Sequence, residues 1–292
     1  MDVKTVAVIG AGTMGRGIAC AAAFGGYKTM LEDISPRVLG QATAWIRQSF
    51  EEGVSRGKVE AGIRDKALSL VSTATDVKDA IGDAELIIEA VPEQLEMKLE
   101  LFTIFDKFAK AGAIFASNTS SLSITEFTGG TGARERCLGM HFFNPVPKMK
   151  LIELVRTPHT SEETVSTCRE VARRMGKEVV LVNEAPGFIT TRVNALIGNE
   201  AFNMLEAGIA TAEDIDKALK LGLNHPMGPF EMVDLVGLDV RLNILEYLHS
   251  ALGEKYRPNG LLRQYVKEGR LGRKTGRGVY EHPQQKAAEK KA

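Results

Sequence analysis

The sequence has no surplus of either charge: 37 Lys and Arg stand against 37 Asp and Glu in 292 residues. A nucleic acid or an anionic membrane is gripped by a broad basic surface, so a balanced chain argues against both as main partners. A local basic cluster for a phosphorylated ligand is still compatible with that balance. Cysteine is scarce. Cys20, Cys137 and Cys168 are odd in number, far apart and in no CxxC pair, which leaves neither a disulfide framework nor a metal site to expect. They read as small apolar residues. No apolar run approaches the roughly 18 residues of a membrane span. Strand character begins by about Lys4, leaving no room for a signal peptide. The expectation is a reduced, cytoplasmic protein. A hydrophobic fraction of 44% with 25% charged residues is the balance of an ordinary globular chain, and the length suits two domains better than one.

Short apolar runs alternate with helical stretches over the first two-thirds. Val3–Ile9 reads as a buried strand, 14–24 as a helix of small residues stopped by Gly25-Gly26, and Thr29-Met30-Leu31 as a second strand. Ser35-Pro36 opens the next helix with an N-cap and a proline at the first helical position. Further buried strands are predicted at 86–88, 114–116, 137–142, 151–155 and 179–182, with helices such as 95–108 and 161–175 between them. That alternation predicts an α/β fold: a Rossmann-like, doubly wound, mostly parallel sheet covered on both faces. After Glu184-Ala185-Pro186-Gly187 only helical periodicity is seen, with helices at 189–206 and 211–221 and a further pair ending at Leu252. The expected division is a dinucleotide-binding domain, 1–185, and an all-helical domain, 186–292. The tail from Gln284 is polar and expected to fray.

Gly10-Ala11-Gly12-Thr13-Met14-Gly15 follows the first strand and opens a helix. In the pattern G-x-G-x-x-G, one glycine makes the tight turn, one admits a pyrophosphate and one lets the helix pack on the strand. Phosphates would sit on the helix N-terminus. Asp33 ends the second strand, where an acid takes ribose hydroxyls and opposes a 2′-phosphate, so NAD is expected over NADP. The glycines alone would be a plain turn. In register with strand, helix and acid they make a cofactor site.

His141 stands near the end of a buried strand in RCLGMHFFNPVP, and Glu153 lies within the strand Leu151–Val155. An acid among aliphatic residues is costly to bury unless paired. A histidine on an adjacent strand supplies that pairing, and becomes a general base whose tautomer and charge the carboxylate supports. By itself, His141 is as well explained as a satisfied core histidine.

The motifs GAGTMG, SNTSSL (117–122), HFFNPVP (141–147), PGFI (186–189), HPMGPFE (225–231) and GRKTGRG (272–278) give the chain a resemblance to the 3-hydroxyacyl-CoA dehydrogenases, nearest to bacterial 3-hydroxybutyryl-CoA dehydrogenases. The resemblance spans nearly the whole chain. It implies NAD-dependent oxidation of short-chain 3-hydroxyacyl-CoA to 3-ketoacyl-CoA, and the reverse reduction of acetoacetyl-CoA. It further implies that His141 takes the 3-hydroxyl proton, that Glu153 orients His141, and that Ser120 bonds the substrate oxygen. Ser120 alone would read as a helix N-cap. Glu93, Lys98, Asn118 and Lys274 match positions that contact NAD in the family; otherwise Glu93 and Lys98 would be solvated first-turn charges. Asn144 is a candidate substrate contact or a turn residue before Pro145. Where the family often has Asn ahead of the arginine after PGFI, this chain has Thr191, whose hydroxyl reaches differently.

Coenzyme A carries phosphates, and Arg56 and Lys58 fall near the family's CoA-contacting segment; as solvated helix charges they are equally well explained. A free β-hydroxyacid dehydrogenase with a lysine base (Lys217 or Lys220) and a non-catalytic NAD-binding protein are the competing readings. Apolar residues such as Met232, Val233, Leu235 and Val236 predict a homodimer through the helical domain, unless they are buried within one chain. No metal is expected.

Overall fold

The computed structural model describes residues 1–282; the tail from Gln284 lies outside them. The chain divides into two compact units between Phe188 and Ile189. Phe188 falls in the first unit because its ring packs into that unit's core.

The first unit begins with β1 (Thr5–Ile9), α1 (Thr13–Phe24), β2 (Lys28–Glu32), α2 (Pro36–Ser55), α3 (Ala61–Ser69) and β3 (Val71–Ala74). There follow α4 (Val77–Ile81), β4 (Leu86–Glu89), α5 (Leu95–Phe108), β5 (Ile114–Ser117) and α6 (Ile124–Thr128). It closes with β6 (Cys137–Phe142), β7 (Leu151–Arg156), α7 (Glu162–Arg174) and β8 (Glu178–Asn183). All eight strands form one sheet in the order β3-β2-β1-β4-β5-β6-β7-β8. Only β6 and β7 run antiparallel to each other. The chain thus turns from one half of the sheet to the other at β1 and β4, the crevice where open α/β sheets bind ligands.

Successive strand residues point to opposite faces, and here both faces are covered. Val6 and Val8 enter one core while Ala7 and Ile9 enter the other. That is why β1 and β4 read as unbroken apolar runs. Each fully buried aliphatic side chain contributes about 1.5–3 kcal/mol. Two strands depart from the expectation. β3 carries Ser72 and Thr73 at the sheet edge, where half-exposed residues leave no apolar run to detect. β8, expected to be buried, is the opposite edge, and Val180 and Leu181 are exposed.

Side chains cap the helices: Ser35 Oγ, the expected cap, accepts from the Val38 N–H, Ser161 Oγ from Thr164, and Thr211 Oγ1 from Asp214. All three cysteines are buried and unpaired; burial pushes Cys20 and Cys137 up to about 11 and Cys168 to about 12. They stay protonated and act as packing groups.

The second unit is helical: α8 (Thr190–Glu206), α9 (Ala212–Gly222), α10 (Pro229–Val236), α11 (Leu238–Leu252) and α12 (Gly260–Lys267). Its core gathers Phe202, Phe230, Val233, Leu245, Leu248 and Tyr256. Among the described residues no helix is long and apolar enough to cross a membrane.

Candidate active site

At the C-terminal end of β1 the chain makes its glycine turn. Gly10 has φ +95°, and a Cβ there would stand 2.9 Å from the Ala90 carbonyl oxygen. A Cβ on Gly15 would meet the Gly10 oxygen at 1.7 Å, so α1 can lie this close to the turn only without a side chain. Gly12, by contrast, has nothing within 4 Å of such an atom. The space in front of the helix N-terminus is open, and nothing blocks a phosphate from its free N–H groups. Asp33 holds the turn in place: Oδ2 accepts from the Ala11 N–H and Oδ1 from the Ser35 N–H, both at 3.0 Å. A cleft of about 720 Å³ runs from Gly10, Gly12, Thr13 and Met14 past Asp33 to Val91 and Leu101. Turn, open helix end, acid and apolar recess fit a dinucleotide.

A buried network borders this cleft. Lys98 is 1% exposed, and its Nζ donates to both oxygens of Glu89 at 2.7 and 2.8 Å. It also pairs with Glu93 Oε2 at 3.2 Å. Ser117 Oγ donates to Glu89 Oε2 at 2.5 Å. Glu93 Oε1 in turn accepts from Thr119 Oγ1 at 2.6 Å and the Ser120 N–H at 2.9 Å. Burial alone would push Glu93 up, but Lys98 and these hydrogen bonds outweigh it and hold the carboxyl below its usual range. Lys98 is therefore no solvated first-turn charge. It crosses to the strand ends because Glu89, buried at the end of β4, needs a cation. Glu93 in turn fixes the loop that presents Ser120. The N-cap of α6 is Ser123, not Ser120, which leaves the Ser120 hydroxyl free of that task.

On the antiparallel pair β6 and β7, His141 stands directly opposite Glu153. His141 Nδ1 lies 2.7 Å from Glu153 Oε2, and Glu153 is 1% exposed. The rings of Phe143 and Phe188 flank the imidazole at centroid distances of 4.5 and 5.8 Å. With Nδ1 committed to the carboxylate, Nε2 is the nitrogen left for proton exchange. Asn118, at the end of β5, ties this strand to the cofactor side: its Oδ1 accepts from the Phe142 N–H at 3.0 Å.

The remaining candidates are more dispersed. Asn144 is exposed in the turn after β6, preceding Pro145. Arg56 caps the C-terminus of α2 and pairs loosely with Glu52 at 3.6 Å, while Lys58 is exposed in the following turn. In the second unit, Thr191 lies in the first turn of α8. Lys274 pairs with Asp239 at 2.6 Å, and Lys220 with Glu231 at 2.5 Å. Two acids escaped the sequence reading, Glu32 and Glu89. Each closes its strand, whereas Glu153 was singled out by aliphatic neighbours on both sides.

Two family models account for almost all of the described chain. Residues 5–185 match the NAD binding domain of 3-hydroxyacyl-CoA dehydrogenase, and 187–282 its C-terminal domain. The chain belongs to the 3-hydroxyacyl-CoA dehydrogenase family. A probable 3-hydroxybutyryl-CoA dehydrogenase of Bacillus subtilis is 42% identical over 283 residues, 97% of this chain and 98% of that protein. Among solved structures, FadB2 of M. tuberculosis superposes with TM-score 0.92 at 40% identity, covering 97% of this chain and 100% of that one. The (S)-3-hydroxybutyryl-CoA dehydrogenase PaaH1 of Ralstonia eutropha gives the same TM-score and coverage at 38% identity. As a member of this family the chain is an NAD-dependent oxidoreductase, and the glycine turn with Asp33 fits that cofactor.

Proposed function

We propose that this family member interconverts short-chain 3-hydroxyacyl-CoA, 3-hydroxybutyryl-CoA in particular, and 3-ketoacyl-CoA, with His141 as the general acid–base. The observation that carries the reading is the His141–Glu153 pair, a buried imidazole–carboxylate contact in the domain that holds the cofactor cleft. In oxidation, Nε2 takes the 3-hydroxyl proton while the hydrogen at C3 leaves with its electron pair and the carbonyl forms. Bound NAD supplies the acceptor for that hydride. Glu153 holds the ring by Nδ1 and stabilises the imidazolium until the proton is released. In the direction of acetoacetyl-CoA reduction, the protonated ring returns its proton to the oxygen. Ser120, fixed through Glu93, supplies a hydroxyl to the same oxygen, and Asn144 and Thr191 are further substrate contacts. Glu93, Lys98, Asn118 and Lys274 serve the cofactor site, Lys98 through its hold on Glu93. Arg56 and Lys58 offer positive charge to the phosphates of coenzyme A.

Oxidation of NADH followed by absorbance tests this directly. Turnover is expected with acetoacetyl-CoA and not with free acetoacetate. Turnover of the free acid with comparable kcat/KM would transfer the chain to β-hydroxyacid chemistry. Absence of turnover with either would leave it a non-catalytic NAD-binding protein.

The second unit is inferred to carry a two-fold dimer contact. Val233 belongs to its core, but Leu235 and Val236 on the same helix are 47% and 40% exposed, and a self-complementary face is the usual way to cover such a patch. A sedimentation mass near 31.7 kDa at micromolar concentration would contradict it. The unpaired, buried thiols support a cytoplasmic, reducing location.

A further inference from the structure

Glu32 closes β2 one residue before Asp33, and neither the family's motifs nor the chemistry above uses it. The residue is 2% exposed, and its Oε1 has no hydrogen-bond partner among the described residues. A buried carboxyl oxygen without a donor costs free energy that an aliphatic residue at the same position would not. Its presence points to a donor that arrives with a ligand. Glu32 lines the cofactor cleft beside Asp33, Ile34, Val77, Val91 and Leu101. Burial, and then the neighbouring Asp33, pushes its carboxyl up to about 7. Asp76 at the start of α4 adds to that rise, while the Gly10 N–H draws the carboxyl down; Glu100 on α5 is a further acid lining the cleft. Among the described residues no Lys, Arg or His lines the cleft.

The cleft's own chemistry selects the donor. The pyrophosphate belongs at Gly12 and the N-terminus of α1, and the ribose hydroxyls at Asp33. Beyond Asp33 the walls are apolar, formed by Ile34, Val77, Val91 and Leu101, and suit a flat heteroaromatic base. The exocyclic amine of adenine is then the donor on the adenosine half that still lacks an acceptor. We propose that Glu32 reads the adenine ring of NAD, its carboxylate accepting a hydrogen bond from that amine. This rests on NAD being the cofactor and is independent of the roles given to His141 and Glu153.

Equilibrium titration with NAD and with deamino-NAD, in which a carbonyl replaces the amine, tests the proposal without any acyl substrate. At pH 8, where Glu32 is ionised, the wild type is expected to bind NAD on the order of tenfold more tightly than deamino-NAD, whose carbonyl would face a carboxylate. At pH 6 the carboxyl carries a proton and can donate to that carbonyl, so the preference shrinks. Glu32→Gln should bind the two dinucleotides within about threefold at both pH values, because a carboxamide can turn either its N–H or its oxygen to the base. At pH 8 Asp33→Ala should weaken both dinucleotides alike and leave their ratio unchanged. At pH 6, with the Asp33 charge gone and the Glu32 carboxyl drawn down, the preference should shrink less than in the wild type. Melting temperatures without cofactor show that the variants fold. A wild-type preference that does not change with pH, or equal discrimination in the wild type and Glu32→Gln, overturns the proposal.

Discussion

Both units bury carboxylates, and they neutralise them in different ways. In the first unit, Glu89 is paired with Lys98 and Glu153 with His141, side chain against side chain, beside the cofactor cleft and at the candidate acid–base. In the second, the partners are mostly backbone N–H groups. Asp216 accepts from Phe230 and Glu231 at 2.8 and 3.0 Å, and from the Tyr280 hydroxyl at 2.9 Å. Asp234 accepts from Val279 and Tyr280 at 2.8 and 2.9 Å, with His282 Nε2 at 2.7 Å. These aspartates fasten the start of α10 and the chain's last described residues to the helical core. The glycines around them follow from that contact. A Cβ on Gly228 would stand 2.2 Å from Asp216 Cγ, and one on Gly278 would stand 2.1 Å from Asp234 Oδ1. HPMGPFE and GRKTGRG carry the family resemblance alongside HFFNPVP, yet much of what they encode is the anchoring of backbone to a buried acid. A motif's specificity for a family does not make it part of the chemistry.

The contrast can be broken most sharply at His141. His141→Ala is expected to lower kcat by about two to four orders of magnitude, the usual worth of positioned proton transfer. NAD affinity should be almost unchanged, since the glycine turn and Asp33 are the groups that hold the dinucleotide in this reading. Glu153→Gln should lose less, because the ring keeps a neighbour of similar shape. Steady-state kinetics beside NAD titration checks both, and near-normal turnover in His141→Ala would remove it from the mechanism.

A smaller effect, of another kind, is expected at Asp234. Asp234→Ala leaves the N–H groups of Val279 and Tyr280 without their acceptor, each at about 1–3 kcal/mol. Calorimetry should show a melting temperature lowered by several degrees, with Asp234→Asn less affected. If Asp234→Ala instead kept its stability and lost turnover, the second unit's buried acids would belong with those of the first.

Much of this was written in local patterns. The glycine spacing after β1, the acid after β2, and the Ser and Thr caps each express constraints of a few consecutive residues, and local chemistry is enough to read them. β3 and β8 were harder, because an edge strand shows one solvated side and its position at the edge is a property of the whole sheet. α4 and α6 are single short turns with no periodicity to detect.

The site divides along the same line. The residue types of a dehydrogenase were legible: the turn, the histidine in HFFNPVP, and an acid among aliphatic neighbours. That His141 and Glu153 face each other, 12 positions apart, was decided by the antiparallel register of β6 and β7. The strand period is two, and a slip of one residue would have turned Glu153 to the opposite face. Likewise, Lys98 looked like a solvated helix charge until the fold brought Glu89, Glu93 and Ser117 around it. Pairing a buried charge requires partners from several strand ends. Only the tertiary structure could choose them, because burial, which makes an unpaired charge costly, exists only once the sheet and its helices have closed over the group.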